Sequence, residues 1–224
     1  MIVFSQKGFQ HPKSQDYTNA FVDCQTAIVC LADGASTCSK GAEGAKDVCH
    51  SIIETIMCSP ALFASPQTSK TMLTFHIMNE VTASLERKAN KGSKEIRDYS
   101  STLCFAAFFK DSKRLFLFSL GNSMIILKTK SNLIFPFEPQ TVQEETVMTT
   151  TKNAQPQILC IDSRPIEEVV LMSDGAWNVV GREIEEFCDN TSFSKVIKQK
   201  LQEDQKPKDD LTLISINLRE AESV

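Results

Sequence analysis

The sequence predicts an α+β fold built in layers, and three observations carry that reading. Two amphipathic helix patterns come early, a series of short apolar runs with hairpin signals follows, and late helix patterns with one last apolar run close the chain. At 224 residues the chain can bury a substantial core, and without an internal repeat or a domain linker it is expected to form one domain over residues 1–224. Its 42% hydrophobic and 23% charged residues place it with globular proteins, not disordered tails.

The first elements are read as follows. Residues 2–4 and 20–22 form short strands around a polar loop, 8–16, which Pro12 keeps out of helix. The run 27–32, Ala-Ile-Val-Cys-Leu-Ala, is short and wholly apolar, as a strand buried on both faces is, and it stops at Asp33 and Gly34. Ala45, Val48, Cys49, Ile52, Ile53 and Ile56 then recur at three- and four-residue steps, an amphipathic helix over about 42–57. Pro60 and Pro66 bracket a linker. Ser69 is placed to cap a second helix that carries Leu73, Ile77, Met78, Val81 and Leu85 on one face. A polar loop over 88–94 ends it.

The period then changes. Residues 103–109 and 115–120 are aromatic-rich strands joined by Lys110-Asp111-Ser112-Lys113, and Gly121-Asn122-Ser123 turns the chain into a third, 124–127. Hairpin connections imply an antiparallel meander. Only weak strands are expected over 128–155. Residues 157–161 and 169–172 resume the sheet, and 176–180 and 182–188 suggest short helices. Phe193, Val196, Ile197 and Leu201 mark another helix, capped near Thr191 or Ser192, before the last strand, 211–218.

Composition also excludes partners. A net charge of −4 with no basic stripe interleaved with aromatics argues against nucleic acid. No apolar run approaches the roughly eighteen residues of a membrane span, and the opening apolar segment is too short for a signal peptide. The eight cysteines form no Cys-x-x-Cys pair and the three histidines (His11, His50, His76) are scattered, so neither a disulfide framework nor a zinc site is expected. Reduced thiols in a cytoplasmic protein fit better.

Acids recur at the ends of strands. Asp33 precedes Gly34, Asp174 follows the run 169–173 and precedes Gly175, and Asp209 and Asp210 open the last apolar run. One such Asp-Gly is an ordinary turn; three strand-end acids are a pattern. An acid there is held rigidly at the rim of a core yet reaches solvent. Carboxylates and a carbonyl without thiolate or histidine clusters suit hard cations: Mg²⁺, Mn²⁺ or Ca²⁺. A bridging Asp can hold two cations about 3.5–4 Å apart over one shared water, whose natural target is phosphorus. The residues by themselves therefore reach a binuclear hydrolase. An aspartyl-phosphate phosphotransferase needs a second acid two residues on, where Ala35 and Ala176 stand.

The ordered set Ser14-Gln15-Asp16, Ala32-Asp33-Gly34, Ser100-Ser101-Thr102, Leu120-Gly121-Asn122-Ser123, Met172-Ser173-Asp174-Gly175-Ala176-Trp177 and Asp209-Asp210-Leu211-Thr212 resembles the protein phosphatase 2C family, metal-dependent serine/threonine phosphatases. The compact bacterial branch is the most similar, and the resemblance runs from about Gly8 to Leu218. It implies a four-layer α-β-β-α sandwich, with metals at one end between two antiparallel sheets. It further implies a cytoplasmic enzyme that hydrolyses phosphoserine or phosphothreonine in proteins, opposing a serine/threonine kinase, with two Mg²⁺ or Mn²⁺ ions and a hydroxide bridging them. Carried over by position, Asp33 bridges the metals, Gly34 offers its carbonyl to one, Asp174 and Asp209 hold the other, and Asp16 is the acid beside that site.

Three departures stand out. Gln15 replaces a frequent Glu, and His11 stands where many members bind phosphate through Arg. Asn122 and Asn178 stand where members with a third metal have acids, so a third ion is expected to bind weakly or not at all. The rival reading is a catalytically weak or silent member that binds phosphoproteins or a regulatory partner without turnover.

Overall fold

The computed structural model describes residues 1–142, 145–188 and 192–222. Two five-stranded antiparallel sheets lie face to face between layers of helix. The first has the order β10-β5-β4-β3-β2, with β2 Asp16–Val22, β3 Thr26–Asp33, β4 Leu103–Phe109, β5 Arg114–Leu120 and β10 Gln157–Asp162. The second has the order β1-β12-β11-β6-β7, with β1 Ile2–Gln6, β6 Met124–Thr129, β7 Leu133–Ile134, β11 Ile166–Met172 and β12 Leu211–Asn217. A separate two-stranded ribbon pairs β8 Thr141–Val142 with β9 Glu145–Thr146.

Strand β3 shows why its sequence is apolar without alternation. Successive side chains point to opposite faces of a sheet. Ala27, Val29 and Leu31 meet Ile125, Leu127, Val169, Leu171, Ile214 and Ile216 of the opposite sheet. Ile28, Cys30 and Ala32 face outward, but onto helices α1 Gly41–Cys58 and α3 Lys70–Gly92, which contribute Val48, Ile52, Ile56, Ile77 and Val81. The second sheet is likewise covered on its outer face. Ile126, Val170, Met172 and Leu213 pack on Ala176 and Val180 of α4 Asp174–Val180 and on Phe193, Ile197 and Leu201 of α5 Phe193–Glu203. Three apolar layers thus separate four layers of secondary structure. A short helix, α6 Leu218–Ala221, ends the described chain.

Several expectations are corrected. The third run of the supposed meander, β6, does not pair with β5; it leaves for the other sheet and pairs with β11 and β7. Gly121, at φ +115°, makes that departure possible. The linker after Pro60 contains a helical turn, α2 Pro60–Ala64, whose Phe63 is buried against Phe116. Helix α3 runs on through the stretch 88–92, since Ala89 still faces the core. Ser69 does cap α3, its Oγ accepting from Met72 N at 3.2 Å. Ser192 makes no side-chain cap at α5, and Thr191 lies outside the described residues, as do residues 143 and 144 of the weak-strand stretch. The cap comes from another element: the buried carboxylate of Glu168 on β11 accepts from the Ser194 amide and hydroxyl.

Candidate metal and phosphate site

The strand ends bring the acids together. Asp16 opens β2 directly opposite Asp33, which closes β3, so the two carboxylates are cross-strand neighbours by register. Asp33 is held by its backbone: its N–H donates to Thr102 Oγ1 at 3.0 Å and its carbonyl accepts from Thr102 N at 2.8 Å. Gly34 follows, and a Cβ there would lie 2.3 Å from the Gly41 carbonyl carbon at the start of α1. Only glycine fits between that strand end and the helix.

Asp174 and Asp209 come from the second sheet. Ser173 ties the two segments, donating its hydroxyl to the Asp210 carbonyl at 3.2 Å and accepting from Thr212 N at 3.0 Å. Gly175 allows α4 to press against this strand start, since a Cβ there would meet the Asp210 carbonyl oxygen at 2.2 Å. Asp174 accepts from the Gly175 amide at 2.7 Å and from Asn122 Nδ2 at 2.7 Å. Asp209 is the most open of the set, with its side chain 47% exposed. Asn178 lies one turn along α4 from Asp174 and is exposed.

Electrostatics marks the cluster as one unit. Burial pushes the Asp16 carboxyl up to about 7, with the nearby hydroxyls of Thr212 and Ser173 pulling the other way and the charge of Asp210 adding to the rise. Burial also pushes Asp33 well above the usual carboxylate range, and the neighbouring charges of Asp16 and Asp174 push it further. Asp174 is raised by burial and then by Asp209. Like charges at low dielectric disfavour one another's ionised forms, and a cation among them reverses that sign.

Among the described residues, no group of three or more His, Cys, Asp or Glu side chains converges closely enough to hold an ion as it stands. The donor set nevertheless fits one. Asp16 Oδ2 and Asn122 Oδ1 are buried oxygens without a hydrogen-bond partner, in a cluster of acids that raise one another's affinity for positive charge. Unpaired buried acceptors are costly, and hard cations take carboxylate and carbonyl oxygens.

His11 reaches the same rim from the loop 8–16. Its Nδ1 lies 3.3 Å from Asp210 Oδ2 and 3.8 Å from Asp209 Oδ1. Asp210 is the residue that sequence reasoning passed over, having assigned only its neighbour. It is buried, and its carboxylate accepts from Gly8 N at 2.8 Å and Gln15 N at 2.6 Å. Its signal was adjacency to Asp209 in a strand start, where alternate side chains take opposite environments.

The sequence matches the family model for protein phosphatase 2C over residues 10–213. The chain belongs to the protein phosphatase 2C family. Membership makes it a protein-serine/threonine phosphatase by class. Solved structures of the same fold include a bacterial serine phosphatase, at 17% identity and TM-score 0.75, with 96% of this chain and 95% of that one covered. Serine/threonine phosphatase Stp1 from Staphylococcus aureus gives 16% identity and TM-score 0.74 over 96% and 93%. RsbX, solved in complex with magnesium, gives 15% identity and TM-score 0.65 over 95% and 92%. Comparison with curated proteins returned no match. Among the described residues, no helix of this phosphatase-family chain is long and apolar enough to cross a membrane.

Proposed function

We propose that residues 1–224 form a single phosphatase domain that removes phosphate from phosphoserine or phosphothreonine in a protein, with two Mg²⁺ or Mn²⁺ ions. The observation that supports this reading best is the meeting of Asp16, Asp33, Asp174 and Asp209, from the two sheets, in one electrostatic cluster beside the buried, unpartnered oxygens of Asp16 and Asn122. Asp33, the Gly34 carbonyl, Asp174 and Asp209 would hold the ions, and Asp16 stands behind Asp33 as the adjoining acid. Bound divalent cations supply screening of phosphoryl charge and activation of water.

The chain's own residues do the rest. Thr102 fixes the Asp33 backbone, and Asn122 orients Asp174 through its amide. His11, whose Nδ1 lies 3.8 Å from Asp209 Oδ1, would bind a phosphoryl oxygen. A protein phosphate, opposed by a serine/threonine kinase in the cytoplasm, is the substrate this reading assigns. The test is hydrolysis of p-nitrophenyl phosphate and of phosphopeptides by metal-stripped protein, with and without Mn²⁺. Hydrolysis that appears only with Mn²⁺ supports the reading, and none under either condition removes it in favour of a silent phosphoprotein binder.

A further inference from the structure

We propose that Asp210 is a positioning residue: without serving as a metal ligand, its carboxylate fixes the loop 8–16 and turns His11 so that Nε2 is the ring nitrogen left for the substrate's phosphoryl group. This rests on the phosphatase reading for its substrate, and on the geometry for the rest. The Asp210 side chain is 2% exposed, yet each of its oxygens is engaged by the protein. Oδ1 accepts from Gly8 N at 2.8 Å; Oδ2 accepts from Gln15 N at 2.6 Å and faces His11 Nδ1 at 3.3 Å. The three donors stand at the start, the middle and the end of one loop. Its neighbours differ, because Asp16 and Asn122 each keep a buried oxygen without a partner. A carboxylate occupied on both oxygens by protein donors holds structure.

Chemistry narrows the role further. An ionised carboxylate only accepts, so the His11 nitrogen facing it carries a proton. Nδ1 is taken up by Asp210, and Nε2 is then the ring nitrogen left to meet a phosphoryl group. Such outer partners fix ring orientation, and a misplacement of about 1 Å can cost roughly a hundredfold in rate. An amide could not replace the acid. Asparagine has one oxygen, so either Gly8 N or the pair Gln15 N and His11 Nδ1 would meet an NH₂ group instead. The start of the loop is packed too closely to shift away, since a Cβ on Gly8 would lie 2.4 Å from the Asp209 carbonyl carbon.

Two measurements decide it. In Mn²⁺-loaded protein acting on a phosphopeptide, Asp210→Asn and His11→Ala should each raise KM by about tenfold with kcat changed less than about threefold. The double variant should be little worse than the worse single, because one acts through the other. Additive losses, a loss confined to kcat, or weaker Mn²⁺ binding by calorimetry in Asp210→Asn would overturn the proposal. The second measurement needs no variant and no turnover. In ¹⁵N-labelled, Mg²⁺-loaded protein, the His11 ring should show a protonated Nδ1, and added inorganic phosphate should move the Nε2 resonance. An unprotonated Nδ1, or an Nε2 indifferent to phosphate, would overturn it even if Asp210→Asn fails to fold. Should the unsubstituted protein prove inactive, the phosphatase reading falls, while the ring spectrum still decides the fate of the clamp.

Discussion

Asp33 and Asp174 sit at the rim of a core whose interior they do not fill, so their charge can be removed without removing packing. Asp33 is locked by backbone bonds to Thr102, and Asp174 by amides from Gly175 and Asn122. Asparagine at either position keeps the shape and loses a ligand charge. Asp33→Asn and Asp174→Asn should each lower Mn²⁺-dependent hydrolysis by at least about a hundredfold, the several kcal/mol that metal-borne charge stabilisation supplies. Circular dichroism should not change. Near-normal turnover in either variant would show that the wrong acids have been named. Asn122 carries a separate expectation. Its amide already donates to Asp174, and it brings no charge of its own to a third cation. In a crystal soaked in millimolar Mg²⁺, two sites should fill and the position beside Asn122 and Asn178 should hold water. The pair Asn122→Asp and Asn178→Asp should create the third site and steepen the dependence of rate on metal concentration. A fully occupied third ion ligated by either native asparagine would refute this.

At the level of elements, the site depends on how tightly α4 is pressed against the start of β12. Gly175 has no room for a Cβ beside the Asp210 carbonyl, a backbone atom that cannot swing aside. Gly175→Ala should therefore move the Asp174 end of α4, costing about 1–3 kcal/mol in urea denaturation and most of the activity. A variant as stable and as active as the parent would mean that the contact is slack. The same elements show what could be read in advance. Strand β3 was legible because every face of it is buried, which leaves an unbroken apolar run ending in an acid. Helix α1 was legible from its period. The crossing of β6 to the other sheet was not, because Gly121-Asn122-Ser123 reads equally as a hairpin turn, and only pairing with β11 distinguishes the two. Helix α3 was cut short for a similar reason: past Leu85 only Ala89 is buried, and a polar helical turn has the composition of a loop. Asp33, Asp174 and Asp209 could be chosen as strand-end acids; Asp16 came only from the family resemblance, and Asp210 showed no more than its place beside Asp209, since burial and three loop donors leave no trace in sequence.

For the whole molecule, two sheets meet at a cluster of acids that the fold pays to hold together while no cation is bound. The Asp16 carboxyl, raised to about 7 by burial and by Asp210, is the clearest case. Its folded-state value lies above the ordinary one, so between roughly pH 4 and 7 the native chain keeps a proton that the unfolded chain has released. Stability from this group is complete at the acid end of that window and is lost as pH rises through 7. Metal-free protein should accordingly melt at a lower temperature at pH 8 than at pH 6. Divalent cations should restore the loss, because they stabilise the ionised acids without displacing protons at pH 8. At a hundred times its Kd, one bound ion stabilises by about 2.7 kcal/mol, or roughly 5–10 °C for a chain of this length. The increment from Mn²⁺ should be larger at pH 8 than at pH 6, where protons already occupy part of the cluster. Asp16→Asn removes the titrating group while preserving its volume, so metal-free Asp16→Asn should melt above the metal-free parent at pH 8 and show a smaller difference between the two pH values. Scanning calorimetry in EDTA and in Mn²⁺, at both pH values, measures all four quantities. If the metal-free parent were equally stable at pH 6 and 8, and Asp16→Asn no more stable at pH 8, the acids would not be straining the fold and the electrostatic basis assigned to this rim would be wrong.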